Sequence, residues 1–331
     1  MNFDELLSRQ PQNVQVAVRL MEIFAPSNFA VRRERFKHGH QFAHYTSGEA
    51  ALSIIENKSL WLRATTCMSD YREALHGHDL LNKYFADEAA RHSFFSAVND
   101  CVPGAAEEAF QRFSYWAPRE FHDTYIASVS EHHKGDEDLY GRLSMWRAFG
   151  TGARVAIVFQ VPMFTEVGSH LSFNFSPVAY LDQHGLRNEL GLIIENIRRN
   201  QKLLRGLSRE ELAHIIFANL ISCVFCTKHP GFKEEREWRV IHSPTRWKSD
   251  LVRPITKTFA GTPQSIYVLP LNANVDSKLS DIDFAKMFER LIIGPTQYGS
   301  AMYQTFVKAL SAIGVEDAAE KVVISEIPIR T

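Results

Sequence analysis

Apolar residues recur every three or four positions in some stretches of the chain, and alternate with polar residues or run unbroken in shorter ones. The first spacing is typical of an amphipathic helix, and the second of a strand. Helices are predicted over 3–25 with an interruption at Pro11, and over 47–57, 139–149 and 300–313, with a helix-rich region over about 70–116. The pattern over 186–226 predicts two helices, the second opened by a capping box of Ser208 and Glu211. Strands are predicted over 42–46, 60–62, 125–130, 154–161, 173–180, from near 234 to 241, and over 265–269, 290–293 and 321–327.

This order of elements predicts an α+β protein. Residues 1–38 are expected to form a helical lead-in, whose basic run at 32–37 is interpreted as a solvated connector. Residues 39–331 are expected to form a single α+β domain with helical insertions at about 70–116 and 185–226. The chain has no internal repeat, low-complexity tract or flexible linker.

Charged residues are concentrated in the stretch 228–241. A Pro-Gly pair near its start predicts that a new element begins near Glu234, and we interpret that element as a strand. Because side chains alternate across a strand, Glu235, Glu237 and Arg239 would share one face. Such a row either pairs with neighbouring charges or supplies carboxylates to a cleft.

A second polar set lies near the start of the predicted domain. His44 and Thr46 would leave their strand on one face, with Tyr45 on the other. A histidine and a threonine can hydrogen-bond a ligand's sugar or amide, and an aromatic ring can stack beside them. The alternative is a structural histidine whose hydrogen bonds are satisfied inside the fold.

Composition narrows the class of protein but selects no partner. With 331 residues, 45% of them hydrophobic, the chain can bury a large core. Its net charge of -1 excludes a general attraction to nucleic acid or to anionic membranes. The acidic start and the lack of an 18-residue apolar run predict a cytoplasmic protein without a membrane partner. Four cysteines in a chain of this length fit a reducing compartment.

Metal chemistry is a weaker alternative. Cys223 and Cys226 have no second cysteine pair and lie in an apolar run, which favours buried thiols over zinc. Histidine pairs could hold a metal only if folding brought one of them to a carboxylate. Those pairs are His38 with His40, His76 with His78, and His132 with His133.

An ordered series of short motifs runs along the chain over about residues 40–327. The motifs are His44-Tyr-Thr-Ser, Leu60-Trp-Leu, Ser69-Asp-x-x-Glu73, Ser128-x-Ser, Met145-Trp with Gly150, Lys228, Glu235-x-Glu-Trp-Arg and Ile292-Ile-Gly-Pro. This series resembles a bacterial family of domains of unknown function. The opening motif is in turn similar to the first strand of ADP-ribosyltransferases, which place a histidine, an aromatic residue or serine, and a glutamate around NAD. The resemblance implies a split, bent, mixed or antiparallel β core with helical insertions.

The resemblance assigns the dinucleotide side of the site to the first half of the chain. His44 would bind the adenosine-side ribose, Thr46 would support it, and Tyr45 would stand beside them. Apart from the resemblance, Trp146 is a candidate to stack on a base, and the alternative is a core position, which its helical spacing also fits. The middle position is open among Tyr125, Ser128 and Ser130.

The same resemblance assigns the acids. Glu237 would hold the nicotinamide ribose, with Arg239 beside it, and Glu235 would orient the acceptor. Asp70 and Glu73, one helical turn apart, are candidates for an acceptor-side or second acid.

The expected function is that of an NAD-dependent ADP-ribosyltransferase-like enzyme, with a bacterial defence or toxin-type role as its expected setting. It would use NAD as a substrate, without a metal, and transfer ADP-ribose to a protein or nucleic acid or hydrolyse NAD. Two alternatives remain open. One is a metal-dependent nuclease or hydrolase, and the other is a non-catalytic sensor that binds a nucleotide.

Overall fold

The structure is a computed structural model, and it describes residues 3–38, 40–67, 71–148, 152–162, 171–259 and 261–328. The helices are α1 Phe3–Ser8, α2 Gln12–Phe24, α3 Pro26–His38, α4 Gly48–Asn57, α5 Tyr71–Ala86, α6 Glu88–Asn99, α7 Ala105–Glu120, α8 Asp136–Tyr140, α9 Leu143–Ala148, α10 Gln183–Arg199, α11 Gln201–Leu204, α12 Arg209–Phe225, α13 Phe284–Met287, α14 Gly299–Ala312 and α15 Ala318–Lys321.

The strands are β1 Gln41–Ser47, β2 Ser59–Ala64, β3 Tyr125–Glu131, β4 Arg154–Gln160, β5 Asn174–Pro177, β6 Ala179–Tyr180, β7 Thr227–Lys228, β8 Glu237–His242, β9 Arg253–Phe259, β10 Thr262–Pro270, β11 Phe288–Ile293 and β12 Val322–Ile324. Three 3-10 helices cover Thr65–Cys67, Pro230–Glu235 and Ser277–Ile282.

Contacts divide the chain into two compact units. The first contains residues 1–39, 65–124 and 176–233, and the second contains residues 40–64, 125–175 and 234–331. The predicted lead-in and the segments predicted as helical insertions thus fall in the same unit.

The first unit is helical around α12, which packs against α5 and α7. A Cβ added to Gly77 of α5 would lie 2.7 Å from the carbonyl oxygen of Cys223, so glycine lets these two helices approach closely. The basic run expected to be a solvated connector lies in α3, where Arg35 is buried. No helix in the described part of the chain is long and apolar enough to cross a membrane.

The second unit is built on a mixed sheet in the order β12-β11-β4-β1-β3-β2-β10-β9, with β8 paired to both β3 and β5. Its registered pairs are antiparallel except β11 with β12, which are parallel. The prediction of a mixed α and β protein with a mixed sheet is therefore confirmed.

Two of the hydrophobic clusters in this unit show which face of the sheet each side chain occupies. The larger includes Ile157 of β4 with Phe306 and Leu310 of α14, and the smaller includes Tyr45 of β1 and Trp146 of α9. Residues 157 and 45 have opposite parity in the β1–β4 register, so the clusters lie on opposite faces of the sheet.

Strand β3 has three neighbours, and two of them share one edge. Strand β1 reaches β3 only at Glu131 and Ser130, and β2 reaches it only at Ile126 and Tyr125. The other edge pairs with β8 all the way from Tyr125 to Ser130. Within the described strands, residues 127–129 therefore pair with β8 but with neither β1 nor β2. We call this gap between β1 and β2 the split.

Two predicted elements need correction. The charged strand begins at Glu237 rather than near Glu234, because a 3-10 helix occupies Pro230–Glu235 and Arg236 adopts φ 44°. Glu235 therefore does not lie on a common strand face with Glu237 and Arg239. This turn is held by the Arg236 side chain, which pairs with Glu137.

The helix predicted over 139–149 is two helices, α8 and α9. Gly141 separates them with φ 62°, and a Cβ there would lie 2.4 Å from the Trp146 ring. The ring occupies the space that a side chain at position 141 would need. Packing therefore sets the break, and helical spacing alone does not reveal it.

Candidate active site

A buried ion pair lies on β8 beside the split. Arg239 Nε donates to Glu237 Oε1 at 2.7 Å, and Arg239 Nη2 donates to Glu237 Oε2 at 3.1 Å. Glu237 is 6% exposed and Arg239 is 2% exposed. Two parallel N–H···O bonds fix both the position and the plane of the carboxylate.

Strand β3 adds a hydroxyl to this pair. Ser128 is opposite Arg239, and Ser130 is opposite Glu237, so all four side chains leave the sheet on the same face. Ser128 Oγ donates to Glu237 Oε1 at 2.5 Å. The carboxylate therefore accepts hydrogen bonds from neighbours on its own strand and on β3.

The side chain of His44 contacts the backbone of the same serine. The Nδ1 atom of His44 lies 2.9 Å from the carbonyl oxygen of Ser128, at the part of β3 that neither β1 nor β2 covers. The ring thus satisfies a carbonyl that the split leaves without a strand partner. Ser128 uses its carbonyl for His44 and its hydroxyl for Glu237.

This contact assigns the tautomer of His44. A carbonyl oxygen only accepts, so Nδ1 carries the hydrogen. Burial lowers the pKa of His44, and the bond to Ser128 opposes that shift without reversing it. The ring is therefore neutral near pH 7, and its Nε2 atom is an acceptor.

His44 and Glu237 reach the split from different sides of the sheet. On β1, His44 is opposite Ile157 of the larger cluster, whereas Ala43 is opposite Ser130 on the Glu237 face. Alternation therefore sends the two side chains out on opposite faces. No strand in the described part of the chain pairs with residues 127–129 on this edge, and Ser128 contacts both residues there, His44 through its carbonyl and Glu237 through its hydroxyl.

Tyr45 and Trp146 lie in the smaller cluster, with 7% and 3% of their surface exposed. Their rings are 4.9 Å apart in an edge-to-face arrangement. The Tyr45 hydroxyl accepts the Arg142 backbone N–H at 3.0 Å, and Trp146 Nε1 donates to the Tyr140 carbonyl at 2.7 Å. The Tyr45 hydroxyl and the Trp146 indole nitrogen thus have hydrogen-bond partners within the fold, and the two rings belong to the packed core of this unit.

The predicted motifs around Trp146 and Gly294 are parts of one packing arrangement. A Cβ added to Gly294 would lie 2.9 Å from a ring carbon of Trp146 and 3.2 Å from the Arg154 carbonyl oxygen. Glycine at 294 is thus needed where β11 ends against the indole.

Arg142 is a site residue that sequence analysis missed. It donates to the Ser130 hydroxyl, to the Glu234 carbonyl and, at 3.2 Å, to the Glu131 carbonyl. Burial lowers its pKa, with the nearby charge of Arg236 acting in the same direction. It ties the turn before β8 to the end of β3. A single arginine inside a segment predicted as helical gives no sequence signal for this role.

Other predicted site residues lie at the edges of this arrangement. Ser130 is buried and donates to the backbone carbonyl of Glu235, while Thr46 and Tyr125 are half-buried. The Asp70 prediction and the side chain of Glu73 fall outside the described residues.

The described residues contain no group of three or more histidine, cysteine or acidic side chains placed to hold a metal ion. His76 instead contacts the Leu181 carbonyl at 2.8 Å, and His132 contacts Asp138 at 2.9 Å. Cys223 and Cys226 are not joined in a disulfide, and burial raises the pKa of Cys223 to about 11.

Comparison with known proteins adds one family match. No curated protein and no solved structure matches this chain. The matched segment begins in α9 at Met145 and ends in β8 at Val240, so it contains the ion pair of Glu237 and Arg239 but neither His44 nor Ser128. Residues 145–240 match the model of a protein family of unknown function, DUF2971.

Proposed function

We propose that this protein is an NAD-dependent ADP-ribosyltransferase-like enzyme, acting in the cytoplasm in a bacterial defence or toxin-type setting. The observation that carries the proposal is the position of Ser128. This residue sits in the split and binds His44 through its carbonyl and Glu237 through its hydroxyl. A histidine, a serine and a glutamate in this order are what the motif resemblance implies around NAD.

The split itself supports the ADP-ribosyltransferase-like type of sheet. Strands β1 and β2 pair with opposite ends of one edge of β3, and this interrupted edge is consistent with the split core that the resemblance implies. Helix α4 connects β1 to β2. His44 and Thr46 belong to β1, and Ser128 belongs to β3.

Each side chain can supply one element of the reaction. The acceptor atom Nε2 of His44 suits a ribose hydroxyl, which donates. Glu237 is a fixed carboxylate that favours the positive charge developing on the ribosyl group as its glycosidic bond breaks. Arg239 and Ser128 hold that carboxylate in one orientation.

The chemical step is a substitution at C1′ of the nicotinamide ribose. The bond from C1′ to nicotinamide breaks, and nicotinamide leaves with the electron pair. A nucleophile of the acceptor forms the new bond at C1′ and loses its proton, for which the Glu235 carboxylate is the proposed base. With water as the acceptor, the same step is NAD hydrolysis.

The test is incubation of purified protein with NAD and mixed protein and nucleic-acid acceptors, with detection of released nicotinamide. Glu237→Gln keeps the size of the side chain and an acceptor oxygen but removes the charge. Glu289→Gln makes the same change at an exposed residue of β11 and is the matched control. We expect release by wild type and control, and a loss of about 100-fold or more in Glu237→Gln.

The burial of Glu237 favours a second candidate function. With 6% exposure and both oxygens bound by Arg239, this carboxylate also fits a rigid, non-catalytic site that only binds a nucleotide. Titration calorimetry with NAD, together with the assay for nicotinamide release, distinguishes the enzyme from the non-catalytic binding site. Binding without nicotinamide release over long incubation would support the sensor and contradict the enzyme.

A further inference from the structure

Strands β2, β10 and β9 form a three-stranded ribbon at one end of the described sheet. Residues directly opposite each other share a face, and the register places one set of side chains together. In one row across the three strands, Ile266 of β10 lies opposite both Arg63 of β2 and Ile255 of β9. In a second row, Val268 of β10 lies opposite both Trp61 and Arg253. We call this side of the three strands the ribbon face.

Aromatic rings and cations alternate on the ribbon face. The rings of Trp61 and Phe259 lie 6.0 Å apart, edge to face. The guanidinium of Arg63 is 4.6 Å from the Phe259 ring, and the Lys257 ammonium is 5.3 Å from the Trp61 ring. Phe259 is the last residue of β9, so these contacts bring the tip of the β9–β10 hairpin close to Trp61 and Arg63.

The three strands of the ribbon contain basic residues but no acidic residues. Strands β2, β9 and β10 contain Arg63, Arg253 and Lys257 but neither aspartate nor glutamate. The whole chain has a net charge of -1, so this is a local excess that the overall charge conceals. Every residue from Arg253 to Thr258 is exposed.

The ribbon face continues onto the face of Glu237. Arg63 lies opposite Ile126 of β3, and Ile126 alternates onto the same side as Ser128. Ser128 Oγ in turn contacts Glu237. A chain lying along the ribbon face would thus approach the split on the side of the carboxylate.

We propose that the ribbon face binds single-stranded nucleic acid. Phosphates match the cations Arg63, Arg253 and Lys257, and bases match the half-buried rings of Trp61 and Phe259, because sequence-tolerant binding of single strands combines these two contacts. A duplex hides its base faces and would use only the charges. The inference that the bound single-stranded nucleic acid is also the acceptor of ADP-ribose rests on the proposed function.

A second copy of this chain fits the ribbon less well. Edge strands that pair with another copy are flat and apolar, whereas β9 contains Pro254 and Lys257, which oppose edge-to-edge pairing. A positive face would also repel its own copy. The charge and the rings together therefore favour a polyanion with exposed bases.

The test is fluorescence anisotropy of a labelled 20-nucleotide oligo-dT or oligo-U, with a duplex of equal length, in 50 and 200 mM salt. Lys257→Glu reverses one ribbon charge, and Trp61→Ala removes one ring. Lys308→Glu is the matched control, because it makes the same charge reversal at an exposed position of α14. Circular dichroism of each variant verifies folding.

We expect single-strand binding that weakens with salt and exceeds duplex binding. Lys257→Glu and Trp61→Ala should each weaken it about tenfold, and Lys308→Glu should leave it unchanged. No binding in 50 mM salt, equal losses in Lys257→Glu and Lys308→Glu, or a preference for duplex would overturn the proposal. Association of the protein with itself through β9 would also overturn it. Binding without any NAD turnover would leave the docking surface intact and reject only the enzyme.

Discussion

Glu237 and Arg239, two residues apart on β8, form an ion pair that the sheet almost completely buries. The Nε atom of Arg239 is 2.7 Å from Oε1 of Glu237, and both residues are at most 6% exposed. Removing one partner from such a pair leaves the other charge buried and uncompensated. The pair therefore couples stability to the proposed chemistry.

Arg239→Ala should destabilise the protein by about 3–5 kcal/mol, because the Glu237 carboxylate loses both guanidinium bonds. Urea unfolding measures this change. In the background of Glu237→Gln, where no buried negative charge remains, the same substitution should cost much less. Equal costs in the two backgrounds would contradict a coupled pair.

The stability contributed by His44 should depend on pH. Burial lowers the pKa of His44 in the folded protein, so the unfolded chain takes up a proton first as the pH falls through about 6.5. Wild type should therefore lose stability relative to His44→Gln from about pH 7 downwards, until the folded-state pKa is passed. Melting temperatures of both proteins from pH 8 to pH 5 give this difference, and parallel curves would reject the assigned shift.

Gly294→Ala should destabilise the second unit by about 1–3 kcal/mol, because the new Cβ meets the Trp146 ring at 2.9 Å. Gly191→Ala is the control. That glycine lies inside α10 with nothing within 4 Å of an added Cβ, so alanine there should stabilise by about 0.5–1 kcal/mol. Calorimetric unfolding measures both, and a neutral Gly294→Ala would show that the indole has room to move.

Cys223 should react slowly with iodoacetamide at pH 7.5, because burial raises its pKa to about 11 and the thiolate is the nucleophile. Its rate should rise steeply between pH 9 and pH 11. Site-resolved mass spectrometry follows this cysteine in the native protein. Fast labelling at pH 7.5 would indicate an activated thiol and argue against the buried-thiol interpretation.

Elements with strong local signals were predictable from the sequence. The bounds of the strands predicted at 42–46, 125–130 and 154–161 differ by at most one residue from those of β1, β3 and β4. Polar segments mark where these runs begin and end. The capping box of Ser208 and Glu211 opens α12 as expected. The basic run at 32–37 was interpreted as a connector rather than as part of helix α3, because its basic residues mask a weak apolar stripe.

The site was predictable in part. Alternation correctly places Glu237 and Arg239 on one face, but it cannot show that Ser128 lies opposite Arg239, because register depends on long-range pairing. It also misplaced Glu235, since the left-handed backbone of Arg236 lets the strand begin only at Glu237. Arg142 and the ribbon face depend on contacts between distant segments, which local patterns do not contain.

The most direct test is a double-mutant cycle on nicotinamide release from NAD, with wild type, His44→Gln, Glu237→Gln and the double variant. Because Ser128 joins the two residues, we expect each single variant to lose about 100-fold or more in kcat/KM. The double variant should lose far less than the product of the two losses, which corresponds to a coupling of at least about 1 kcal/mol. No release by the wild type, or losses that multiply independently, would contradict a single site assembled at the split.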